Sequence, residues 1–331
     1  MNKLKHILVT GGAGYVGSTL VNRLTSNNYQ VSALDSMVFG NDRISDLFQS
    51  NAVQFIQGDI RDNKILEKSL EGIDCVVHLA AITGPLCDRI PEATKQINEV
   101  ATLNLLNLCK KKQVKRFIFA STCSNYGSNL DVVDESTPLM SLSLYSETKV
   151  KMESAILNSK DSNFDPCVLR FATVFGLSPK MRFDLLVQEL ILDAILNKKI
   201  KIFGPQYWRP LVHVNDVATA CILGIESPSD LISGEVYNVG SNEQNYRKLE
   251  LAELVKEQIP DTEIEIQESK KDPRNYRVSF DKISQKLHFK AEKTVRDGIA
   301  EIVNSIRKDL FDPSASSSSI RTNQVEKVSV Y

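Results

Sequence analysis

Tyr145 and Lys149 stand four residues apart in the run Tyr145-Ser146-Glu147-Thr148-Lys149. On a helix that spacing puts both side chains on one face. A Lys ammonium beside a phenol lowers the phenol's pKa below its usual value of about 10, which makes Tyr145 a usable acid and base. Upstream, Ser121-Thr122-Cys123-Ser124 follows an apolar run. At the carboxyl end of a strand in an open α/β sheet, a hydroxyl is placed to hydrogen-bond a reacting oxygen. Without such a sheet, Tyr145 and Lys149 reduce to a surface helix pair worth about 0.2–0.5 kcal/mol.

A second group of residues fits a phosphate ligand. Thr10-Gly11-Gly12-Ala13-Gly14-Tyr15-Val16-Gly17 directly follows the apolar run Ile7-Leu8-Val9. Gly11 permits a tight turn, Gly14 lets the backbone approach a pyrophosphate, and Gly17 lets the following helix pack close to the strand. The helix N-terminus then faces the phosphate charge. Tyr15 and Val16 open that helix and join the cofactor-binding set. Asp35 ends the next strand-like run, 18 residues beyond Gly17. A carboxylate there accepts both ribose hydroxyls of NAD and repels the 2′-phosphate of NADP. Arg43 is the nearby cation able to reverse that choice. Asp59 and Ile60, in Gly58-Asp59-Ile60-Arg61-Asp62, stand where a loop would cover the adenine. The Asp59 carboxylate suits the adenine amino group, and it suits an acidic helix cap nearly as well.

These residues need a parallel sheet to bring them together, and the first 120 residues alternate in the required way. Strand-like runs cover residues 6–9, 30–34, 53–56, 75–79 and 116–120, with helices over 15–25 and about 91–112. The runs near 76 and 117 are apolar throughout, as central strands covered on both faces must be. A helix follows over 145–158, then a strand at 167–170. Further on, the pattern gives helices at 185–196, 217–225 and 249–258 and strands at 236–239 and 264–266, with 204–210 as loop. The expected fold is α/β: a Rossmann doubly wound parallel sheet over residues 1–170, with segments near 205–240 returning to it. Residues 171–312 form mainly a smaller substrate-binding lobe. The Pro- and Ser-rich composition from 313 to 331 predicts a flexible tail.

Composition narrows the class of protein. Of 331 residues, 42% are hydrophobic and 24% charged, which is ordinary for a globular chain. Lys plus Arg (40) nearly cancels Asp plus Glu (41), so nothing in the overall charge draws the chain to nucleic acid or an anionic membrane. No apolar run reaches the ~18 residues of a membrane helix, and residues 1–10 are too short in apolar content for a signal peptide. A cytoplasmic protein is expected. Cys75, Cys87, Cys109, Cys123, Cys167 and Cys221 are scattered singly, as buried thiols would be. The four histidines, at 6, 78, 213 and 288, do not cluster, so no metal is expected.

With these motifs assembled, the chain resembles the extended short-chain dehydrogenase/reductase superfamily, in its nucleotide-sugar epimerase/dehydratase branch (UDP-glucose 4-epimerase-like). Further motifs carry the resemblance: His78-Leu79-Ala80-Ala81, Tyr126-Gly127, Leu169-Arg170, Val174-Phe175-Gly176, His213-Val214-x-Asp216 and Tyr237-Asn238-Val239-Gly240. The resemblance implies Tyr145 as acid and base, Lys149 holding the nicotinamide ribose, and Thr122 as the catalytic Ser/Thr. It implies that Ala80 and Ala81 line the cofactor and that Asn98 is a structural or relay residue beside it. Arg209 and Arg274 match positions that hold a sugar-nucleotide diphosphate, a task that suits guanidinium. Thr83, Cys123, Ser124 and Thr173 complete the implied substrate set.

Departures from the family's patterns narrow the chemistry. Cys123-Ser124 stands where the 4,6-dehydratases carry Asp-Glu, and the Glu of the decarboxylating relatives near Ser124 is missing too. Thr173 replaces a usual Asn. The Cys123 thiol could serve a 3- or 5-epimerase as a base, or fill space as a small packing residue. Trp208 could wall the sugar pocket or anchor a loop. What the resemblance then implies is an NAD-dependent epimerase acting at C4 of a UDP-hexose through a transient 4-keto sugar, paired into a homodimer through helices 91–112 and 145–158. The alternatives are a nucleotide-sugar 4-dehydrogenase or 4-ketoreductase on a UDP- or GDP-sugar, and a non-catalytic NAD-sensing protein.

Overall fold

The computed structural model describes residues 4–40, 53–267, 274–311 and Val328. Arg43 lies outside the described residues, and so does the Ser-rich segment from 313 on, Val328 apart.

Seven parallel strands make the central sheet: β1 (His6–Thr10), β2 (Gln30–Asp35), β3 (Val53–Gln57), β4 (Cys75–His78), β5 (Arg116–Thr122), β7 (Asp165–Phe171) and β11 (Glu235–Val239). The other strands are β6 (Ser128–Val133), β8 (Thr173–Phe175), β9 (Lys199–Phe203), β10 (Trp208–His213), β12 (Asn245–Arg247), β13 (Glu263–Gln267) and β14 (Asn275–Val278). Across the central sheet the order is β11-β7-β5-β4-β1-β2-β3. The chain winds outward from β1 through β2 to β3, then returns to β4 and winds outward the other way. The reversal between β1 and β4 leaves a crevice beyond their carboxyl ends, where ligands bind in such sheets.

Burial explains the apolar runs. Ile7 and Val9 enter one core cluster and Leu8 the other; Val77 and Ile118 face the first, Val76, Phe117 and Phe119 the second. With both faces covered, alternation of polar and apolar residues disappears from these strands. His78 is fully buried and bridges Thr10 Oγ1 (2.6 Å) and Thr102 Oγ1 (2.9 Å). Those bonds tie the end of β4 to β1 and to the helix behind.

Residues 91–111 form not one regular helix but Pro91–Lys95, a π-helical turn Gln96–Ala101, and Thr102–Lys111. A third core cluster, which includes Phe175, Val187, Ile191, Leu211 and Ile299, holds the C-terminal lobe together. β8, β10 and β12 form a sheet of that lobe, and β9 pairs with β13. One expectation needs correction here. The loop over 204–210 stops short, because β10 begins at Trp208; Pro210 pairs there with β12 alone, and a one-sided position tolerates its missing N–H. Within residues 205–240, the helix Val214–Glu226 packs on the helix Tyr15–Ser26, where Arg23 donates to Asn215 O (3.1 Å), and β11 pairs with β7 in the central sheet. All six cysteines are buried and unpaired. Among the described residues, no helix is long and apolar enough to cross a membrane.

Candidate active site

A cavity of about 360 Å³ opens at the β1/β4 reversal. One end is built by the glycine turn. Gly11 has φ +70°, and a Cβ there would stand 2.8 Å from Ala80 N, so only glycine lets the two strand ends approach this closely. At Gly17 a Cβ would fall 2.0 Å from Gly11 O, so the close packing that excludes a side chain is against the turn itself rather than the strand. Gly14 is the N-cap of the helix Tyr15–Ser26 and gives it no side-chain cap. Gly14, Tyr15, Val16 and Gly17 all border the cavity. Uncapped N–H groups and the positive end of the helix dipole there suit a pyrophosphate.

Asp35 borders the same end. Its carboxylate oxygens accept the main-chain N–H groups of Met37 (2.9 Å) and Ala13 (3.1 Å), which fix its orientation. Burial raises its pKa above the ordinary value, opposed by those two donors and by Lys180. Asp59, Ile60 and Arg61 form the next stretch of wall. Asp59 is held by the Arg61 guanidinium through Nε (2.9 Å) and Nη2 (2.7 Å). The helix cap belongs to Asp62, which accepts from Lys64 N and Ile65 N. Val328 completes this end: it is buried, and its carbonyl accepts from Arg61 Nη2 at 3.2 Å. Uncapped helix, glycine approach and oriented carboxylate together fit NAD.

Thr122, Ser124, Tyr145 and Lys149 line the other end of the cavity, with Ala80, Ala81 and Thr83 between. Thr122 ends β5 and caps the short 3-10 turn Cys123–Tyr126, accepting from Ser124 N at 3.1 Å; its Oγ1 also meets Ser124 Oγ at 2.9 Å. Tyr145 and Lys149 stand in the first turns of the helix Leu144–Leu157, capped by Ser143. Lys149 donates to Ala120 O at 2.7 Å, lies 4.5 Å over the Phe119 ring and 5.9 Å from the Tyr145 ring centroid. Burial lowers the Lys149 pKa to about 8, against opposing effects of Cys87 and Glu153.

The phenol behaves differently from expectation. Burial raises the Tyr145 pKa, Cys87 adds to the rise, and Arg182 and Arg274 oppose it. The charges that favour its phenolate are these two guanidiniums, while the Lys149 ammonium is engaged by the Ala120 carbonyl. Arg182 carried no signal in the sequence beyond its charge. It borders the cavity, donates from Nη1 to Thr83 Oγ1 (3.1 Å), and pairs with Asp184 through Nη2 (2.8 Å) and Nε (3.1 Å). Thr173, Arg274 and Tyr276 border the cavity near it.

Three expected residues lie elsewhere. Cys123 is fully buried in the core beneath the site and donates to Arg170 O at 3.2 Å, because the 3-10 turn points its side chain inward. Burial raises its thiol pKa, the reverse of what a base needs. Arg209 is buried behind the wall and donates to the carbonyls of Trp208 (2.7 Å) and Arg274 (2.5 Å), so it supports the backbone of Arg274 rather than facing the cavity. Asn98, in the π-helical turn, accepts from Ile82 N (2.8 Å) and donates to Ile82 O (2.9 Å) and Thr148 Oγ1 (3.3 Å). It braces the loop after β4 against the helix of Tyr145 without bordering the cavity. Trp208 does not border the cavity: it opens β10, flanked by the guanidiniums of Arg247 (5.0 Å) and Arg277 (5.3 Å).

Known proteins are similar to this chain over nearly its whole length. A putative UDP-glucose 4-epimerase of Methanocaldococcus jannaschii is 29% identical over 317 residues, which are 92% of this chain and 99% of the other. A Bacillus subtilis protein described as an uncharacterized UDP-glucose epimerase is 31% identical over 311 residues, 88% of this chain and 95% of its own. The solved structure of UDP-glucuronic acid 4-epimerase from Bacillus cereus, in complex with UDP-glucuronic acid and NAD, superimposes with a TM-score of 0.84 at 28% identity, covering 92% of this chain and 100% of that one. Residues 7–240, which carry the glycine turn, Asp35, Thr122, Tyr145 and Lys149, match one family throughout, and the chain belongs to it: the NAD dependent epimerase/dehydratase family.

Proposed function

We propose that this protein epimerises a UDP-hexose at C4. The observation that carries the reading is the distribution of charge in the cavity. Among the described residues, its wall holds two carboxylates, Asp35 and Asp59, both at the glycine-turn end. Around Thr122 and Tyr145 the wall offers hydroxyls, Lys149, Arg182 and Arg274. Eliminating water across C5 and C6 needs a carboxylic acid and base there. Moving one proton at one sugar hydroxyl does not.

Tyr145 would take the proton from the C4 hydroxyl and later return it. Thr122 would hydrogen-bond the same oxygen, with Ser124 holding its hydroxyl in place. Lys149 would hold the cofactor's ribose and keep positive charge beside the phenol. Bound NAD would supply a hydride acceptor and donor. The relatives described as UDP-glucose epimerases support this reading.

A second substrate within the same chemistry is favoured by Arg182. A guanidinium at the sugar end is matched to a carboxylate on C5, and the Bacillus cereus structure holds UDP-glucuronic acid. The test is incubation of the purified protein with UDP-glucose and with UDP-glucuronic acid, without added cofactor, and resolution of the products by chromatography and NMR. A C4 epimer from either supports the proposal, and the more active of the two identifies the substituent on C5. An accumulating keto sugar with equimolar reduced cofactor would replace it with a 4-dehydrogenase.

A further inference from the structure

We propose that Glu153 is a positioning residue for Thr122 and Lys149. This rests on the catalytic reading above. Tyr145, Lys149 and Glu153 recur at intervals of four on one helix, so they share a face. Tyr145 and Lys149 border the cavity. Glu153 is buried one turn deeper, 3% exposed, and its carboxylate is surrounded by donors. Arg170 of β7 donates from Nη2 (2.7 Å) and Nε (3.1 Å), Asn125 Nδ2 donates at 2.9 Å, and the Ser121 hydroxyl donates to the same carboxylate.

Each partner belongs to a different part of the site. Ser121 precedes Thr122 on β5. Asn125 lies in the 3-10 turn that Thr122 caps, and its Oδ1 accepts from Ser146 Oγ at 2.9 Å. Arg170 Nη1 donates to Tyr126 Oη (2.9 Å), which donates to Asn238 Oδ1 (2.8 Å) on β11. Residues 120 and 121 of β5 therefore meet residues 149 and 153 of the helix in turn: Lys149 on the Ala120 carbonyl, Glu153 on the Ser121 hydroxyl. A buried ion pair is a poor source of net stability, since packed apolar residues often do as well. What it supplies here is a fixed distance between the strand end that carries Thr122 and the helix that carries Tyr145 and Lys149. Catalysis is sensitive to displacements of about 1 Å in such a pair.

The carboxylate also bears on the ammonium. The groups facing Lys149 are Tyr145 and Glu153 on its own helix, Cys87 from the helix Leu86–Arg89, and His78 with the Phe119 ring from the sheet. Glu153 is the anion among them. Its loss leaves Arg170 as an added positive charge, and both changes favour a neutral amine at lower pH.

The test compares wild type with Glu153→Gln and Ser121→Ala. Two readouts are taken: steady-state kinetics on the UDP-sugar that wild type epimerises, and the NMR titration of Lys149 in protein with 13C-labelled lysine, assigned through Lys149→Met. For Glu153→Gln we expect kcat to fall at least tenfold with KM and bound NAD unchanged, and the Lys149 transition to move to lower pH. Ser121→Ala keeps the ion pair, so kcat should fall by a smaller factor with the transition unmoved. If Glu153→Gln does not fold, Glu153→Asp keeps the charge and shortens the reach, so kcat per folded protein should fall with the Lys149 transition near its wild-type position, and an unchanged kcat per folded protein overturns the proposal. A fall in kcat that only tracks the folded fraction, with Lys149 titrating as in wild type, overturns the proposal. If wild type turns over no UDP-sugar, the catalytic reading fails by itself. The Lys149 titration then decides the clamp, and an unmoved transition overturns it.

Discussion

The Lys149 ammonium lies 5.9 Å from the centroid of the Tyr145 ring and gives its hydrogen bond to the Ala120 carbonyl at 2.7 Å. The two residues therefore share a helix face without a hydrogen bond between them. Burial pulls Lys149 down to about 8 and pushes Tyr145 up. In the ligand-free protein the ammonium is the first of the pair to change charge as pH rises.

This has a stability consequence with a definite sign. Between about 8 and the ordinary lysine value of ~10.4, the unfolded chain binds the proton that folded Lys149 has lost. The free energy of unfolding attributable to this group should rise with pH across that window, and be least favourable below it. Lys149→Met should be more stable than wild type at pH 7 and should lack this rise. Urea unfolding at pH 7 and 9.5 reads both effects. An identical pH slope in the two proteins would show that burial does not set the charge of Lys149.

Tyr145→Phe removes one oxygen and keeps the ring. Turnover should drop at least ~100-fold, the usual loss on removing a general acid and base, with bound NAD retained. Rapid-mixing measurement of nicotinamide absorbance after addition of UDP-sugar checks it. A variant that reduces its cofactor at the wild-type rate would remove Tyr145 from the chemistry.

Thr122→Val should slow turnover by about 10- to 100-fold, the equivalent of ~1.5–3 kcal/mol for a hydrogen bond to a charged oxygen. Because Thr122 also caps the 3-10 turn through Ser124 N, stability should fall as well, by roughly 1 kcal/mol. Unchanged kcat with lowered stability would leave Thr122 a capping residue only.

Asp35→Ser should bring NADP binding closer to NAD binding by at least about tenfold, since a single charged contact of ~1.4 kcal/mol or more is removed. Titration of the cofactor-free protein with each dinucleotide measures the ratio. An unaltered ratio would shift the selectivity away from Asp35.

Val100 and Leu103 are 54% and 43% exposed on the segment 91–111, beside the helix Leu144–Leu157. Apolar side chains left outward on paired helices suit a second copy of this chain. Light scattering should give a homodimer, and Val100→Glu with Leu103→Glu should give a monomer. A wild-type monomer at micromolar concentration would contradict the pairing.

The central sheet was legible because its strands are buried on both faces, so Ile7-Leu8-Val9 and Phe117-Ile118-Phe119 read as unbroken apolar runs. The glycine turn was legible because φ and close approach admit no other residue at Gly11 and Gly17. The short strands of the C-terminal lobe were not, since β8, β12 and β14 are three or four residues long and owe their pairing to distant partners. In the site, side-chain direction was the missing information. Cys123 and Ser124 are neighbours in sequence, yet the 3-10 turn sends one into the core and leaves the other at the cavity. Arg209 carried the resemblance and Arg182 only its charge, yet the fold turns Arg209 to the Arg274 carbonyl and Arg182 to Thr83. Glu153 was invisible as a site residue because its partners Ser121, Asn125 and Arg170 are brought to it from other elements.

The most direct measurement uses UDP-glucose and UDP-glucuronic acid deuterated at C4, incubated with the protein as purified and without added cofactor. NMR of the product shows where the deuterium goes. C4 epimerisation through bound NAD predicts a product inverted at C4 that still carries deuterium there, with no reduced cofactor accumulating. A stable 4-keto sugar, with the deuteride from C4 found on one equivalent of reduced cofactor for each sugar oxidised, would contradict the account.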